Sequence, residues 1–224
     1  MKICALIPAF NEASHIVQVV EGARKHLDSV VVIDDGSSDG TAELARGAGA
    51  VCLESPGNCG KASALHRGIA HARAHGFTHI LTMDGDGQHL PEDIPSLLRV
   101  ARETDVDLVI GARLFDRALM PRARFYSNTI GSRWASALVG RPINDSQSGF
   151  RLIRLESLCR AKLRSRRYEF EMEALIKLGR MGCTIAHAPI HMVYENGQSR
   201  SKMKPIRDTI NICLWSVAYR FLGA

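Results

Sequence analysis

Short β-branched runs alternate with longer helical patterns along the first half of the chain, and few folds accommodate that alternation. "KICALIP" (2–8) precedes a helical pattern from about Glu12, "SVVVID" (29–34) one from about Asp39, and "AVCLE" (50–54) one from about Lys61. "THILTMD" (78–84) leads to a helix from about Pro91, and "VDLVIGA" (106–112) follows it. The pattern predicts βαβ units, hence an α/β fold: a Rossmann-like, mostly parallel central sheet flanked by helices, in a single domain. Right-handed crossovers put the strand C-termini along one edge, where open α/β sheets bind their ligands. The loops at that edge are "PAFNEA", "DDGSSDGT", "SPGNCGK" and "DGDGQHLPED", so polar residues collect where a ligand would sit.

The second half is less regular. A basic stretch (113–125) runs into a predicted helix over 125–139, and "NDSQSGFRLIR" (144–154) reads as a loop entering a strand. "FEMEALIKLGRMG" (170–182) predicts a helix closed by Gly182, and "TIAHAPIHMVY" (184–194) one or two strands. With 224 residues, 46% hydrophobic and 23% charged, the chain can bury a substantial core. Its net charge of +6 suits an anionic partner. The six cysteines, at 4, 52, 59, 159, 183 and 213, form no Cys-x-x-Cys pair, and several lie in apolar runs. They read as reduced thiols, with a cytoplasmic location expected. No run reaches the roughly 20 apolar residues that span a bilayer, and nothing at the N-terminus resembles a signal peptide.

Asp84 and Asp86 end an apolar run one residue apart, although like charges that close repel. On an extended chain they point to one side, with Gln88 in step, and the set makes a hard-oxygen site for Mg²⁺ or Mn²⁺. A calcium loop counted from Asp84 fails its own rules, with His89 at position six and Pro95 at twelve. In "VVIDDGSSDGT" Asp34 and Asp35 end a buried strand, Ser38 or Asp39 is placed to cap the next helix, and Asp35 is placed to accept hydrogen bonds from a base or a ribose. Lys61 either faces a phosphate or is an ordinary surface lysine at a helix start. Arg113, Arg122, Arg124 and the "SRSKMK" segment supply candidate phosphate contacts. His71 and His75 have metal-ligand spacing but no evident third ligand, and read as surface.

"IPAFNEA", "VIDDGSSDGT", "NCGKASALHRG", "MDGDGQHLPED", "GAR" and "DSQSGFR" occur in the order seen in inverting family 2 glycosyltransferases of the GT-A fold. Their spacing most resembles the dolichyl- or polyprenyl-phosphate sugar synthase branch, over residues 3 to 203. The resemblance implies a GDP- or UDP-sugar donor, a lipid-phosphate acceptor and no nucleic-acid partner. Pro8, Phe10, Glu12, Ile33 and Asp35 would line the base and ribose pocket; Phe10 stands where tyrosine is frequent, so it offers stacking without a hydroxyl. Asp84, Gly85, Asp86 and Gln88 would form the metal and diphosphate corner, with Asp86 essential to turnover. Lys61, Arg113 and Arg124 would contact phosphates, and Arg200 with Lys202 would lie on a loop closing over the donor.

Inverting transfer is an in-line displacement at an anomeric carbon, and the charge of the leaving diphosphate must be absorbed. A lipid monophosphate is already anionic and needs no general base. A hydroxyl acceptor needs one; the resemblance to family 2 members of that type implies Glu171, near the start of the helix "FEMEAL", with Asp145 second. Residues 204–224 read as a C-terminal helix. Trp215, Tyr219 and Phe221 among basic residues suit an interfacial helix docked on the inner face of the membrane. A core helix or a homo-oligomer contact fits the stretch equally well.

Overall fold

A computed structural model describes residues 1–113, 122–165 and 169–191, with the side chains of 122–124 excepted. Seven strands form one sheet: β1 (Ile3–Ala9), β2 (Val30–Asp34), β3 (Val51–Glu54), β4 (His79–Thr82), β5 (Leu108–Arg113), β6 (Arg151–Arg154) and β7 (Ile185–Ile190), in the order β3-β2-β1-β4-β6-β5-β7. Every pairing is parallel except those of β6, which runs antiparallel between β4 and β5. This reversal matters for function. Because β6 starts where β4 ends, with Thr82 opposite Arg151, the loop before β6 reaches the edge that carries the other strands' C-termini.

Side-chain alternation divides the core between the two faces of the sheet. Along β1, Cys4 and Leu6 join Ile33, Leu65, Ile80 and Ile153 on one face, beneath α3 (Lys61–Ala74) and α7 (Phe170–Arg180). Ala5 and Ile7 join Val32, Leu81 and Val109 on the other, beneath α1 (Ile16–Arg24) and α4 (Ile94–Thr104). β2 is buried throughout, as its unbroken β-branched run requires of a strand covered on both sides. Helices α1 and α4 each bury residues at i, i+3, i+4 and i+7: Ile16, Val19, Val20 and Ala23 in one, Ile94, Leu97, Leu98 and Ala101 in the other. α2 (Thr41–Gly47), α5 (Arg122–Val139) and α6 (Leu155–Arg160) complete the set, and a 3-10 turn over Pro91–Asp93 precedes α4.

The elements follow the sequence pattern with one shift of consequence. α1 starts at Ile16 rather than near Glu12, because residues 10–15 are held in a loop. Asn11 there takes a left-handed conformation (φ 54°), and the Glu12 N–H donates to Thr41 Oγ1 at 2.9 Å instead of entering a helix. No described helix is long and apolar enough to cross a membrane. Residues 204–224 lie outside the described residues.

Asp107 ties the far half of the sheet together. Its carboxylate accepts from Ser157 Oγ at 2.6 Å, from the Thr184 N–H at 2.9 Å and from Thr184 Oγ1 at 3.0 Å, with Arg154 Nε at 3.4 Å. Burial alone would raise its pKa, but these donors hold it below the ordinary 3.8. A depressed carboxyl contributes stability above its unfolded pKa and loses it as the pH falls through the folded one. Asp107→Asn is therefore expected to lower unfolding stability by about 1–2 kcal/mol at neutral pH. In urea titrations at several pH values, the gap to wild type should close below pH about 4.

Candidate active site

Two loops at the C-terminal edge of the sheet are laced by hydrogen bonds. The Asn11 N–H donates to Ser37 Oγ at 2.9 Å, the Ser38 N–H to Asn11 Oδ1 at 3.0 Å, and the Ala13 N–H to Asp39 Oδ2 at 3.0 Å. Asp39 also accepts the Thr41 N–H at 3.1 Å and so satisfies the start of α2. Asp34 accepts both the N–H and the hydroxyl of Ser37. Asp35 accepts the N–H groups of Cys59 at 3.0 Å and Gly60 at 2.7 Å, which fixes the loop leading into α3. At Gly36 (φ 79°) a Cβ would lie 2.6 Å from the Gly57 backbone, so only glycine allows the two loops to pass this closely.

The acidic loop adjoins this platform. β4 stops at Thr82, and Asp84 to Asp86 enter a turn, which corrects the expectation that an extended chain aligns the two carboxylates. Asp84 has a cation already: Lys61 Nζ is 2.6 Å from its Oδ1 and 2.7 Å from Glu171 Oε1. Burial would raise the Asp84 carboxyl, but the Lys61 ammonium outweighs it and holds the group below its usual range. Burial would likewise lower the lysine, and the two carboxylates hold it up. Asp86 has no such cation among the described residues; burial first, then the charge of Asp84, push its carboxyl up. Burial pushes the His89 imidazole down, and its Nδ1 accepts the Asp84 N–H at 3.1 Å, so the ring there is neutral.

The loop before β6 closes the corner. His89 stacks on Phe150 with ring centroids 5.2 Å apart, and Thr82 Oγ1 donates to the Gly149 carbonyl at 2.7 Å. A Cβ on Gly149 would stand 2.9 Å from Lys61 Nζ and 3.1 Å from Asp84 Oδ2, so the ammonium and carboxylate occupy the space a side chain would fill. Arg151 is 1% exposed and staples the loop to α7: Nε donates to Ser148 O at 2.8 Å, Nη2 to Ser146 O at 2.7 Å, and Nη1 to Glu171 O at 2.7 Å. The same arginine thus sets the position of the Glu171 backbone.

Most of the residues expected at the site converge on this edge, with several changes of role. Pro8, near the end of β1, and Phe10 and Glu12, in the loop after it, are half-buried. Ile33 is fully buried, with Cδ1 against Gly68 of α3, so its side chain belongs to the core and lines no pocket. Gln88 is buried and braces Asp86: its Nε2 donates to Asp86 Oδ2 at 2.9 Å and its N–H to Oδ1 at 3.0 Å. Its expected role as a third metal ligand would fall to the amide oxygen, which takes no part in these two bonds. Arg113 spends Nε and Nη2 on Asp145, at 2.5 and 2.6 Å, and Asp145 is fully buried. Asp145 is therefore withdrawn as a base. Arg124 lies in the first turn of α5 with its side chain outside the description; Arg200 and Lys202 lie outside the described residues altogether. His71 and His75 stack on each other at 4.0 Å on α3, outside the corner.

Among the described residues no group of three or more His, Cys, Asp or Glu side chains surrounds one point as a metal cage. The donor set still fits a divalent ion: two carboxylates in a partly exposed turn, one lacking a cation, suit Mg²⁺ or Mn²⁺ completed by water and substrate phosphates. Sequence reading missed Gly149 and the pairing of Lys61 with Glu171; the clue was a glycine between Ser148 and Phe150 with no turn pattern of its own.

The family model "Glycosyl transferase family 2" matches residues 4–159. The chain belongs to glycosyltransferase family 2. This transferase is 28% identical over 238 residues to the undecaprenyl-phosphate mannosyltransferase of Micrococcus luteus, covering 100% of this chain and 97% of the relative. It is also 28% identical over 215 residues to the UDP-N-acetylglucosamine–dolichyl-phosphate N-acetylglucosaminyltransferase of Methanococcus voltae, with 86% of each chain covered. Glucosyl-3-phosphoglycerate synthase from Mycobacterium tuberculosis, crystallised with Mn²⁺, UDP and phosphoglyceric acid, shares the fold with a TM-score of 0.73 at 20% identity, over 98% of this chain and 78% of that one. The transferase has the GT-A fold.

In the transferase, Arg151→Met would strand the carbonyls of Ser146, Ser148 and Glu171. A stability loss of about 3 kcal/mol or more is expected by urea denaturation. Arg151→Lys should recover little of it, because one ammonium cannot serve both the loop and α7 as a planar guanidinium does.

Proposed function

We propose that this transferase moves a sugar from a nucleoside-diphosphate sugar to a polyprenyl- or dolichyl-type lipid phosphate, with inversion and without a general base. The observation that carries this reading is the state of the two carboxylates nearest the role of base. Glu171 is held 2.7 Å from the Lys61 ammonium, and Asp145 is gripped by Arg113. A carboxylate oxygen engaged by a close cation is not placed to meet the proton of an acceptor hydroxyl. A phosphate acceptor is already ionised and asks for none. The named activities of the Micrococcus and Methanococcus relatives agree with this acceptor class.

The chain's own residues divide the remaining work. The laced loops around Phe10, Glu12 and Asp35 would receive the base and ribose, with Asp35 using carboxylate lone pairs that the Cys59 and Gly60 amides leave over. Asp86, braced by Gln88, and Asp84 would hold Mg²⁺ or Mn²⁺. A bound divalent ion neutralises charge on the departing diphosphate. Lys61 and Gly149 would exclude water from the carboxylate pair, and Arg124, Arg200 and Lys202 remain the proposed phosphate and loop contacts. On α5, Tyr126, Ile130 and Trp134 are exposed at i, i+4, i+8 (54%, 59% and 38%), while Gly131 packs against Gln147 beside the Ser-Gly-Phe-Arg loop. This gives the acceptor's lipid end an apolar surface next to the site, and supports peripheral docking on the cytoplasmic face of a membrane.

Calorimetry with GDP-, UDP- and dTDP-sugars, with and without Mn²⁺, should show binding of one base that depends on the ion. Metal-independent binding, or none, would count against the reading. Asp86→Ala should abolish turnover in either case. Glu171→Gln should cost less than about tenfold in kcat with a lipid-phosphate acceptor, whereas a loss of several hundredfold, within the roughly 10²–10⁴ that a general base contributes, would favour a hydroxyl acceptor.

A further inference from the structure

Among the described residues, the acidic corner brings three carboxylates around one ammonium. Asp84, Asp86 and Glu171 face it with Lys61 as the ammonium at 2.6 and 2.7 Å from two of them. His89 adds no charge there, because its Nδ1 is an acceptor. The lysine is also tightly seated. It starts α3, its side chain is 22% exposed, and the missing side chain of Gly149 is what gives its Nζ room. Asp84, the carboxylate expected to meet a divalent ion, is thus already paired, and Asp86 is pinned by the two N–H donors of Gln88.

An aquo ion entering this corner by itself would have to displace an ammonium from Asp84 and leave that ammonium only Glu171. An ion arriving on a diphosphate faces a different balance. The diphosphate oxygens complete its coordination, and they also offer Lys61 a new anion to contact. From this charge arrangement we infer that Lys61 is a positioning residue that stands in for the divalent ion at Asp84 in the empty enzyme, so that the ion enters already chelated by the donor's diphosphate. The inference rests on the proposed function in assigning the ion to Asp84 and Asp86, and it gives Lys61, still beside Glu171, two successive second partners, the Asp84 carboxylate and then a phosphate.

The test is Mn²⁺ binding, read from the electron paramagnetic resonance signal of the free aquo ion. Mn²⁺ is titrated alone and with UDP, GDP or dTDP, against protein-free Mn²⁺–nucleotide mixtures as baselines. Wild type should bind Mn²⁺ alone at least about tenfold more weakly than with the preferred nucleotide. Lys61→Met should bind Mn²⁺ alone about tenfold or more tightly than wild type does, the lower end of what one opposite charge at 4–6 Å does to a carboxylate's proton affinity. Lys61→Arg, which keeps the charge, should stay near wild type. A lysine that merely supported the fold would give the opposite sign, since its loss would loosen the site and weaken binding. Equal or weaker Mn²⁺ binding by Lys61→Met overturns the inference and leaves the metal assignment standing. Equal affinity of wild type with and without nucleotide overturns it too, and needs no variant to fold. If wild type binds no Mn²⁺ under either condition, the metal assignment itself falls and takes the inference with it.

Discussion

Carboxylates crowded onto one edge of a sheet must each be compensated, and the manner of compensation organises this molecule. Asp34, Asp35 and Asp39 are satisfied by backbone amides and hydroxyls of neighbouring loops, which are fixed once the chain has folded. Asp84 and Glu171 share the ammonium of one lysine side chain. The first kind of partner builds a rigid cradle; the second kind can be exchanged for a ligand. The division would suit the proposed chemistry, in which a base and ribose meet a preformed shape and the diphosphate meets a charge that can change partners.

The two halves of the site come from distant parts of the chain, and their meeting depends on a reversed strand. A fully parallel sheet would carry residues 144–150 to the opposite edge. Antiparallel pairing of β6 with both β4 and β5 brings them beside Asp84 instead. Arg151 then turns a loop into a wall: its three carbonyl acceptors lie on that loop and on α7, so the acceptor side cannot shift without breaking them.

Much of this was legible in the residues themselves. Strand and helix alternation located the sheet and the ligand edge, because period-2 and period-3.6 burial are set by backbone geometry. Asp84 and Asp86 stood out as chemistry-bearing, since like charges one residue apart at a strand end call for a cation, and Glu171 followed from the family resemblance. What could not be read was which charge meets which. Lys61 lies 23 positions before Asp84 and 110 before Glu171, and nothing local distinguishes it from a solvated lysine at a helix start. The alignment of Asp84 with Asp86 and the direction of Ile33 misled for a related reason: one was inferred from an extended chain and the other from family position. The turn after Thr82 and the packing of α3 decided both.

The register of β6 carries a further consequence. Side chains along a strand alternate between faces, so sliding β6 by a single position would exchange Arg151 for a neighbouring leucine or phenylalanine in the slot lined by carbonyls, and would turn the guanidinium toward the apolar layer under α1 and α4. Neither arrangement is tolerable, since one starves peptide oxygens of donors and the other buries an unmatched cation. The strand is short, only Arg151–Arg154, yet it has one acceptable alignment, and the arginine that serves the active loop is also what proofreads the sheet.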